Sequence, residues 1–400
     1  MIEQIILAII IGCILGTITG ITPGVHINLV SALIFALSSI LLNYTQPIIL
    51  VIAITSMAIT HTFLDIIPTT FLGAPNADDV LTALPAHKLL LEGKGGEAIR
   101  LAIIGSFLGL VSSIILTPFI IHLVELSYPI IKNYIATVLI CISAYIIWKS
   151  KSRTLAFMLF ALTGILGLAV FNMKTLEQPL FPLLSGLFGV SSLIISLKSK
   201  TTIPKQIEID KIIIDKIRLA KNTIISLISS ILTSFLPGLT SSHTTIIAST
   251  ISKTKDPKEY LIINNSINTT SMILSFIALF SIDKARNGAV VVISNFINNF
   301  TKIHLILLLA TALTASFIAI ILALKLNSLF CKYIEKINYS KLCLGIIIFL
   351  VFIVSILTGY LGLIVLITAS SIGIIPKLLN IENTHLMGCL IVPVILYYVL

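Results

Sequence analysis

Two proline–glycine breaks are the features of this chain best suited to bind a small solute. Each lies in a long apolar stretch and is followed by small polar side chains and a histidine. Glycine permits a tight turn, and the N–H groups at the start of a half-helix attract anions. The alternative is a structural kink, because proline and glycine are common in membrane helices. The predicted binding residues are Thr22, Pro23, Gly24, His26 and Asn28 at the first break, and Pro237, Gly238, Thr240, Ser241, Ser242 and His243 at the second.

An aspartate follows a histidine by one helical turn inside the first apolar stretch. Asp65 lies four residues after His61, so both occupy one helix face, and no charged residue lies between Glu3 and Asp65. An ionisable group within a membrane span marks a functional site. Asp65 is therefore predicted to couple transport to Na⁺ or H⁺. The alternative is an interfacial pair at a helix end, because Pro68 suggests that the span stops there.

Two further polar clusters are candidates. Asn76, Asp78 and Asp79 carry oxygens that suit a hard cation such as Na⁺, and Asp78 is predicted as a second coupling-ion residue. Capping of the next helix is the alternative for these side chains. Asn264 and Asn268 share a face of a charge-free span and are predicted to contact the solute. Hydrogen bonding between helices is the alternative for these two.

The elements that must position these residues are membrane helices. The 400-residue chain is 57% hydrophobic and only 10% charged, with a mean hydropathy of +1.11, which excludes a soluble domain. Charge-free runs long enough to span a bilayer recur along it. The sequence predicts an all-α, multi-pass protein of the cytoplasmic membrane with about 10 to 14 membrane elements, some of them short. No cofactor is predicted.

Basic residues divide the chain and orient it. The formal net charge of +10 comes from short loops between apolar runs, which indicates cytoplasmic loops and not nucleic-acid binding. Residues 198–221 are predicted to form a cytoplasmic amphipathic linker, with Pro204 in the first turn of its helix. It separates a first membrane repeat, 1–197, from a second, 222–400. Counting crossings predicts two inverted repeats, each with a broken helix or re-entrant hairpin at its Pro-Gly break, and both termini outside.

A resemblance to a known family adds to this interpretation. The run from Phe71 to Ala98 contains a Gly73-Ala-Pro75 turn, a Thr82-Ala-Leu segment and a Lys94-Gly-Gly96-Glu-Ala loop. It is similar to the signature of the tripartite tricarboxylate transporter large membrane subunit. Residues 16–24 resemble the first Pro-Gly motif of that family, and residues 236–238 resemble its second. The resemblance covers about residues 10–105 and 225–300, as in a divergent and short member.

The resemblance implies a function and partners. It implies that Gly73, Pro75 and Asn76, in the turn that matches the family, contribute to the transport site. Family members work with a small membrane subunit and an extracytoplasmic solute-binding protein, so both are candidate partners.

Together, these observations predict a permease, not an enzyme. It would move a small anionic solute, a carboxylate, by alternating access as a symporter with Na⁺ or H⁺. The alternatives are an intramembrane hydrolase and a membrane scaffold without turnover. A hydrolase would build its centre from His26, His61, His243, Asp65 and Asp78, but no HExxH or GxSxG motif accompanies them.

Overall fold

The described part of the chain is built from helices. The computed structural model describes residues 2–22, 25, 27–72, 83–176, 178–199, 204–207, 214–234, 241–254, 256–297, 299–336, 339–379 and 381–399. Every regular element in these ranges is an α-, 3₁₀- or π-helix, which confirms the all-α prediction. The first half contains α1 Ile2–Ile21, α2 Ile27–Ala36, α3 Ser38–Leu41, α4 Pro47–Leu64, α5 Ile66–Leu72, α6 Ala83–Leu91, α7 Gly95–Ile115, α8 Thr117–Ile131, α9 Ile135–Lys149, α10 Arg153–Phe171, α11 Leu180–Leu184 and α12 Ser191–Ser199.

The second half has fewer and longer helices. They are α13 Lys216–Ser234, α14 Ser241–Ser252, α15 Pro257–Ile282, α16 Gly288–Phe296, α17 Lys302–Tyr333, α18 Tyr339–Leu378 and α19 Gly388–Val399. Among the described residues, seven helices are long and apolar enough to span a membrane, and α8 with α9 forms one bent pair. Three shorter apolar helices add to these, so the count of membrane elements falls within the predicted range.

Two polar-rich helices form the centre of the molecule. The helices α4 and α5 together form the span Pro47–Phe71, and 89% of the residues in its apolar stretch are buried inside the protein. In α15 the corresponding share is 72%. The helix α7, which packs on α15, is 56% buried, whereas α1, α10, α17 and α18 bury 39% or less and expose aliphatic side chains. Hydroxyl and amide groups have no partners in hydrocarbon, so the helices richest in them lie inside the protein. The centre is therefore polar and the rim apolar.

Glycine stripes let a neighbour approach each central helix closely. On α1, a Cβ at Gly12 or Gly16 would lie 2.3 or 2.5 Å from a backbone carbonyl oxygen of α4. On α7, a Cβ at Gly105 or Gly109 would lie 2.4 or 2.5 Å from a carbonyl oxygen of α15. Small residues at such spacing allow backbone-to-backbone packing in membranes. Only glycine fits these contacts.

The packing order is the same in both halves. In each half the first helix packs on the central helix of that half: α1 on α4, and α13 on α15. The long helix that follows the central one crosses over, because α7 packs on α15 and α17 packs on α4. A second apolar core is built by the later helices of the two halves, with contributions from α9, α10, α11, α18 and α19.

The segment between the halves is pinned to the first half. Residues 204–207 have no regular secondary structure, and the next described helix, α13, begins only at Lys216, so no linker helix starts at Pro204. The buried Gln206 accepts a hydrogen bond from the Gly95 N–H through Oε1 at 2.9 Å, and its Nε2 donates to the Leu90 carbonyl at 3.2 Å. The Ile207 N–H donates to the Gly93 carbonyl at 2.8 Å. The glycine loop around Gly93 and Gly95, which carries part of the family resemblance, thus binds the segment 204–207.

Replacing Gln206 with alanine should release the segment. The change leaves the Gly95 N–H and the Leu90 carbonyl without this partner, a cost of about 1–3 kcal/mol for the local structure. Limited proteolysis of the purified protein between α12 and α13 should become clearly faster. Gln4→Ala, on the exposed face of α1, is the matched control and should leave the cleavage rate unchanged. Equal cleavage rates in both variants would contradict the docking role.

Candidate functional site

Asp65 lies inside a membrane span, at the short break between α4 and α5. Its own N–H donates to the His61 carbonyl, and the helix resumes at Ile66 and runs past Pro68 to the end of the span at Phe71. Asp65 therefore follows the end of α4 but precedes the end of the apolar span at Phe71. Only 4% of the Asp65 surface is exposed, and the Thr69 hydroxyl donates to its carbonyl oxygen at 2.9 Å.

A hydrogen bond between Asp65 and Asn268 joins the two halves of the chain. The Asn268 Nδ2 donates to Asp65 Oδ2 at 2.9 Å, which links the first central helix to the second. Beside it, the Thr269 hydroxyl donates to the Thr62 hydroxyl at 3.3 Å. A carboxylate, an amide and two hydroxyls from two helices thus meet where the central helices touch. This is the polar centre of the molecule.

Each central helix also reaches toward the Pro-Gly break of its own half. His61 Nδ1 lies 3.1 Å from the Thr19 hydroxyl, and Thr19 belongs to the last turn of α1, just before the first break. In the second half, the Thr245 hydroxyl of α14 donates to Asn264 Oδ1 at 2.9 Å. Thr245 also donates to the carbonyl of Ser241, the first residue of α14 after the second break. Separate buried polar contacts therefore lie along the two central helices, and their outer members belong to the last turn of α1 and to the start of α14.

Asn28 contacts the start of a helix in the other half. Its Oδ1 accepts a hydrogen bond from the Ala289 N–H at 3.1 Å, at the first turn of α16. Gly288 lies against the same side chain, since a Cβ there would be 2.9 Å from Asn28 Cγ. The Asn28 amide oxygen therefore satisfies an N–H group at a helix start of the other half. Thr22 directly follows α1, and its N–H donates to the Ile18 carbonyl at 3.1 Å.

Several predicted site residues lie outside the described residues: Pro23, Gly24, His26, Gly73, Pro75, Asn76, Asp78, Pro237, Gly238 and Thr240. Ser242 and His243 lie in α14, where the structure describes their backbone but not their side chains. The structure therefore joins the predicted residues Asp65 and Asn268 directly, and it places the predicted Asn264 in a separate contact with Thr245. It adds Thr62 beside the first contact and Thr19 beside His61, two residues that the sequence analysis missed. Within the described ranges, no group of three or more histidine, cysteine, aspartate or glutamate residues is close enough to hold a metal ion.

Charged groups connect the halves at one end of this centre. The Lys258 ammonium, in the first turn of α15, pairs with the buried Glu97 carboxylate in the first turn of α7. At another junction, the Lys377 Nζ of α18 donates to the Ser192 hydroxyl of α12 at 2.7 Å. His87, on α6, lies near Lys377: burial lowers the pKa of His87, and the Lys377 charge lowers it further. His87 is therefore neutral at neutral pH.

The comparison with known protein families decides the affiliation of the chain. The model of the Tripartite tricarboxylate transporter TctA family matches residues 6–388. The chain belongs to this family. The resemblance seen at the glycine loop and at the Pro-Gly breaks is thus confirmed, and it extends over nearly the whole length.

One relative supports the same conclusion. An uncharacterized protein of Methanocaldococcus jannaschii is 33% identical over 388 residues, which is 94% of this chain and 94% of the relative. No solved structure matches the chain. This TctA family protein is a component of a tricarboxylate-type transporter and not an enzyme, with several apolar helices that fit a multi-pass membrane protein. The family name also implies partner components in the transport system.

Proposed function

We propose that this TctA family protein is the permease of its system and moves a small carboxylate across the cytoplasmic membrane. The hydrogen bond from Asn268 to Asp65 carries the proposal. It places a carboxylate between the two halves, in a layer of buried hydroxyl and amide groups, at a depth where charge is costly. Such a group is retained where ions or solutes pass. The coupling ion is Na⁺ or H⁺, with Asp65 as its ligand or proton acceptor.

The polar groups are arranged for coupling between an ion and an anion. Asp65, Asn268 and the two threonine hydroxyls offer the oxygen ligands that a hard cation prefers. The two Pro-Gly breaks would supply N–H groups for the solute carboxylates, because half-helix starts favour anions. A cation bound at Asp65 lowers the electrostatic barrier to an anion nearby, which couples their movements.

The repeated packing order supports alternating access through two inverted repeats. Each half has a first helix, a central helix and a crossing helix in the same order along the chain. The crossing helix of each half packs on the central helix of the other half. Two similar halves around one site can rock between outward-open and inward-open states. A small membrane subunit and an extracytoplasmic binding protein would then feed solute to the outward-open state.

A thermal-shift screen tests the proposal. Purified protein would be heated with di- and tricarboxylates, each with and without Na⁺ and at two pH values. A ligand at 100 times its Kd should stabilise the native state by about 2.7 kcal/mol. We expect at least one carboxylate to raise the melting temperature, and Na⁺ or low pH to enhance its effect. Absence of any shift across the series, with protein that remains folded, would contradict a carboxylate permease.

A further inference from the structure

A polar cavity of about 240 Å³ lies at the base of the helix pair α13 and α14. Three cations and one carboxylate line it: Arg218, Lys221 and Lys253 with Glu259, together with Asn222 and Ser252. Glu259 is already engaged, because Arg218 Nη1 lies 3.0 Å from its Oε1 and the Thr254 hydroxyl donates to its other oxygen. Arg218 also pairs with Asp215 outside the cavity, at 3.6 Å between Nε and Oδ2. The excess positive charge of the lining therefore rests on Lys221 and Lys253, and it favours an anion.

The backbone at Lys253 supports a binding role. Lys253 has a φ of +58°, in the left-handed region, at the position where helices usually end with glycine. The Thr254 N–H donates to the Ser249 carbonyl, and the Lys253 N–H donates to the Thr250 carbonyl. This pair of hydrogen bonds is typical of helices that end with glycine. A lysine is strained there, and strained residues concentrate at functional sites. The left-handed turn places a lysine, and not the usual glycine, at the rim of the cavity, at the cost of this strain.

The surroundings of the cavity point to a lipid. It lies at the start of the spanning helix α15, and therefore at the membrane surface. On α13, Ile224 and Ile228 follow Lys221 by three and seven residues on the same helix face and are 57% and 52% exposed. Ile251, next to the cavity on α14, is 55% exposed. An apolar face thus descends directly from the basic cavity into the bilayer.

We propose that this cavity binds the phosphate headgroup of an anionic phospholipid. Lys221 and Lys253 contact the phosphate, Arg218 stays with Glu259, and an acyl chain lies along Ile224 and Ile228. Basic pockets between membrane helices on the cytoplasmic side bind anionic headgroups in this way. Lys149, whose Nζ donates to the Thr250 hydroxyl at 2.7 Å, adds a fourth cation near the same base. The headgroup bridges α13 and α14 and fixes the base of this helix pair.

Lipid titrations of the purified full-length chain test this assignment. In neutral detergent, phosphatidylglycerol should raise the melting temperature, whereas phosphatidylcholine should not. Lys221→Ala and Lys253→Gly should each weaken the response to phosphatidylglycerol roughly tenfold in lipid concentration, because each removes one charge-assisted contact. Lys325→Ala, an exposed lysine on α17, should respond like the wild type.

The glycine substitution separates binding from folding. Without lipid, Lys253→Gly should melt at the same or a higher temperature than the wild type, because it relieves the left-handed strain. Asp283→Gly is the matched control: Asp283 has a φ of +51° at the end of α15, far along the chain from the cavity residues, and should keep the full lipid response. Equal responses of all variants, or an equal shift from inorganic phosphate without lipid, would overturn the proposal.

Discussion

Substitution of Asp65 by asparagine is expected to reduce solute uptake roughly 100-fold while the protein still folds and inserts, since charged contacts are worth about 1.5–3 kcal/mol each. The amide has nearly the shape of the carboxylate and can still bond to Asn268, so the packing of α4 on α15 is kept. It cannot take up a proton or balance the charge of Na⁺. The measurement is uptake into proteoliposomes of the carboxylate identified by the stabilisation screen, under an imposed ion gradient.

Two further variants make the Asp65 result specific. Asp283→Asn changes an exposed aspartate at the end of α15, where asparagine also tolerates the left-handed backbone, and should transport normally. The double variant D65N/N268D moves the carboxylate across the same hydrogen bond to the other helix. It should recover part of the lost uptake if the site needs one carboxylate between the halves. Full uptake by D65N alone would exclude Asp65 from coupling.

The central polar residues were predictable because they contrast with their surroundings. Asp65 interrupts a charge-free stretch of more than sixty residues after Glu3, and Asn264 and Asn268 lie in a span otherwise rich in aliphatic residues. Hydrocarbon penalises such groups, so their presence signals a protein or aqueous environment. The all-α class followed from the same physics, because helices satisfy their own backbone groups.

The partners of these residues were not predictable from one sequence. The contact of Asp65 with Asn268 spans 203 positions of the chain, and helical periodicity carries no information about which helices meet. Thr19, Thr62 and Thr245 are unremarkable in sequence because hydroxyls are common in membrane helices, where they bond to their own backbone.

The extent of the linker helix was mispredicted for a related reason. The isoleucine spacing and the proline after residue 203 are local signals that favour a helix start at Pro204. In the structure, Gln206 and Ile207 instead satisfy backbone groups of the glycine loop more than a hundred residues earlier. A tertiary contact thus overrides the local preference. The positive φ of Gly93, +76°, shapes the loop that receives the segment.

The second large effect concerns a single methyl group at Gly109. Its Cβ would lie 2.5 Å from the Ser266 carbonyl oxygen and 2.8 Å from the Thr270 hydroxyl, both on α15. The closest obstacle is backbone, so the clash is relieved only when α7 and α15 move apart. We expect Gly109→Ala to destabilise the protein by about 1–3 kcal/mol, the usual cost of overpacking a core. The shift also separates Ser113 from Thr270, whose hydroxyls lie 3.3 Å apart.

The same substitution at another glycine should have the opposite sign. Gly345, on α18, is exposed, and a Cβ there would meet no atom within 4 Å. Gly345→Ala therefore adds no clash and reduces the freedom of the unfolded chain, which stabilises by about 0.4–1 kcal/mol. Thermal unfolding of both variants in one detergent gives the comparison. Opposite shifts would show that α7 and α15 pack backbone to backbone. Because α15 also carries Asn268, the looser Gly109→Ala protein should bind the proposed coupling ion more weakly. Equal shifts for the two variants would mean that the seam between α7 and α15 is not as tight as the glycine contacts require.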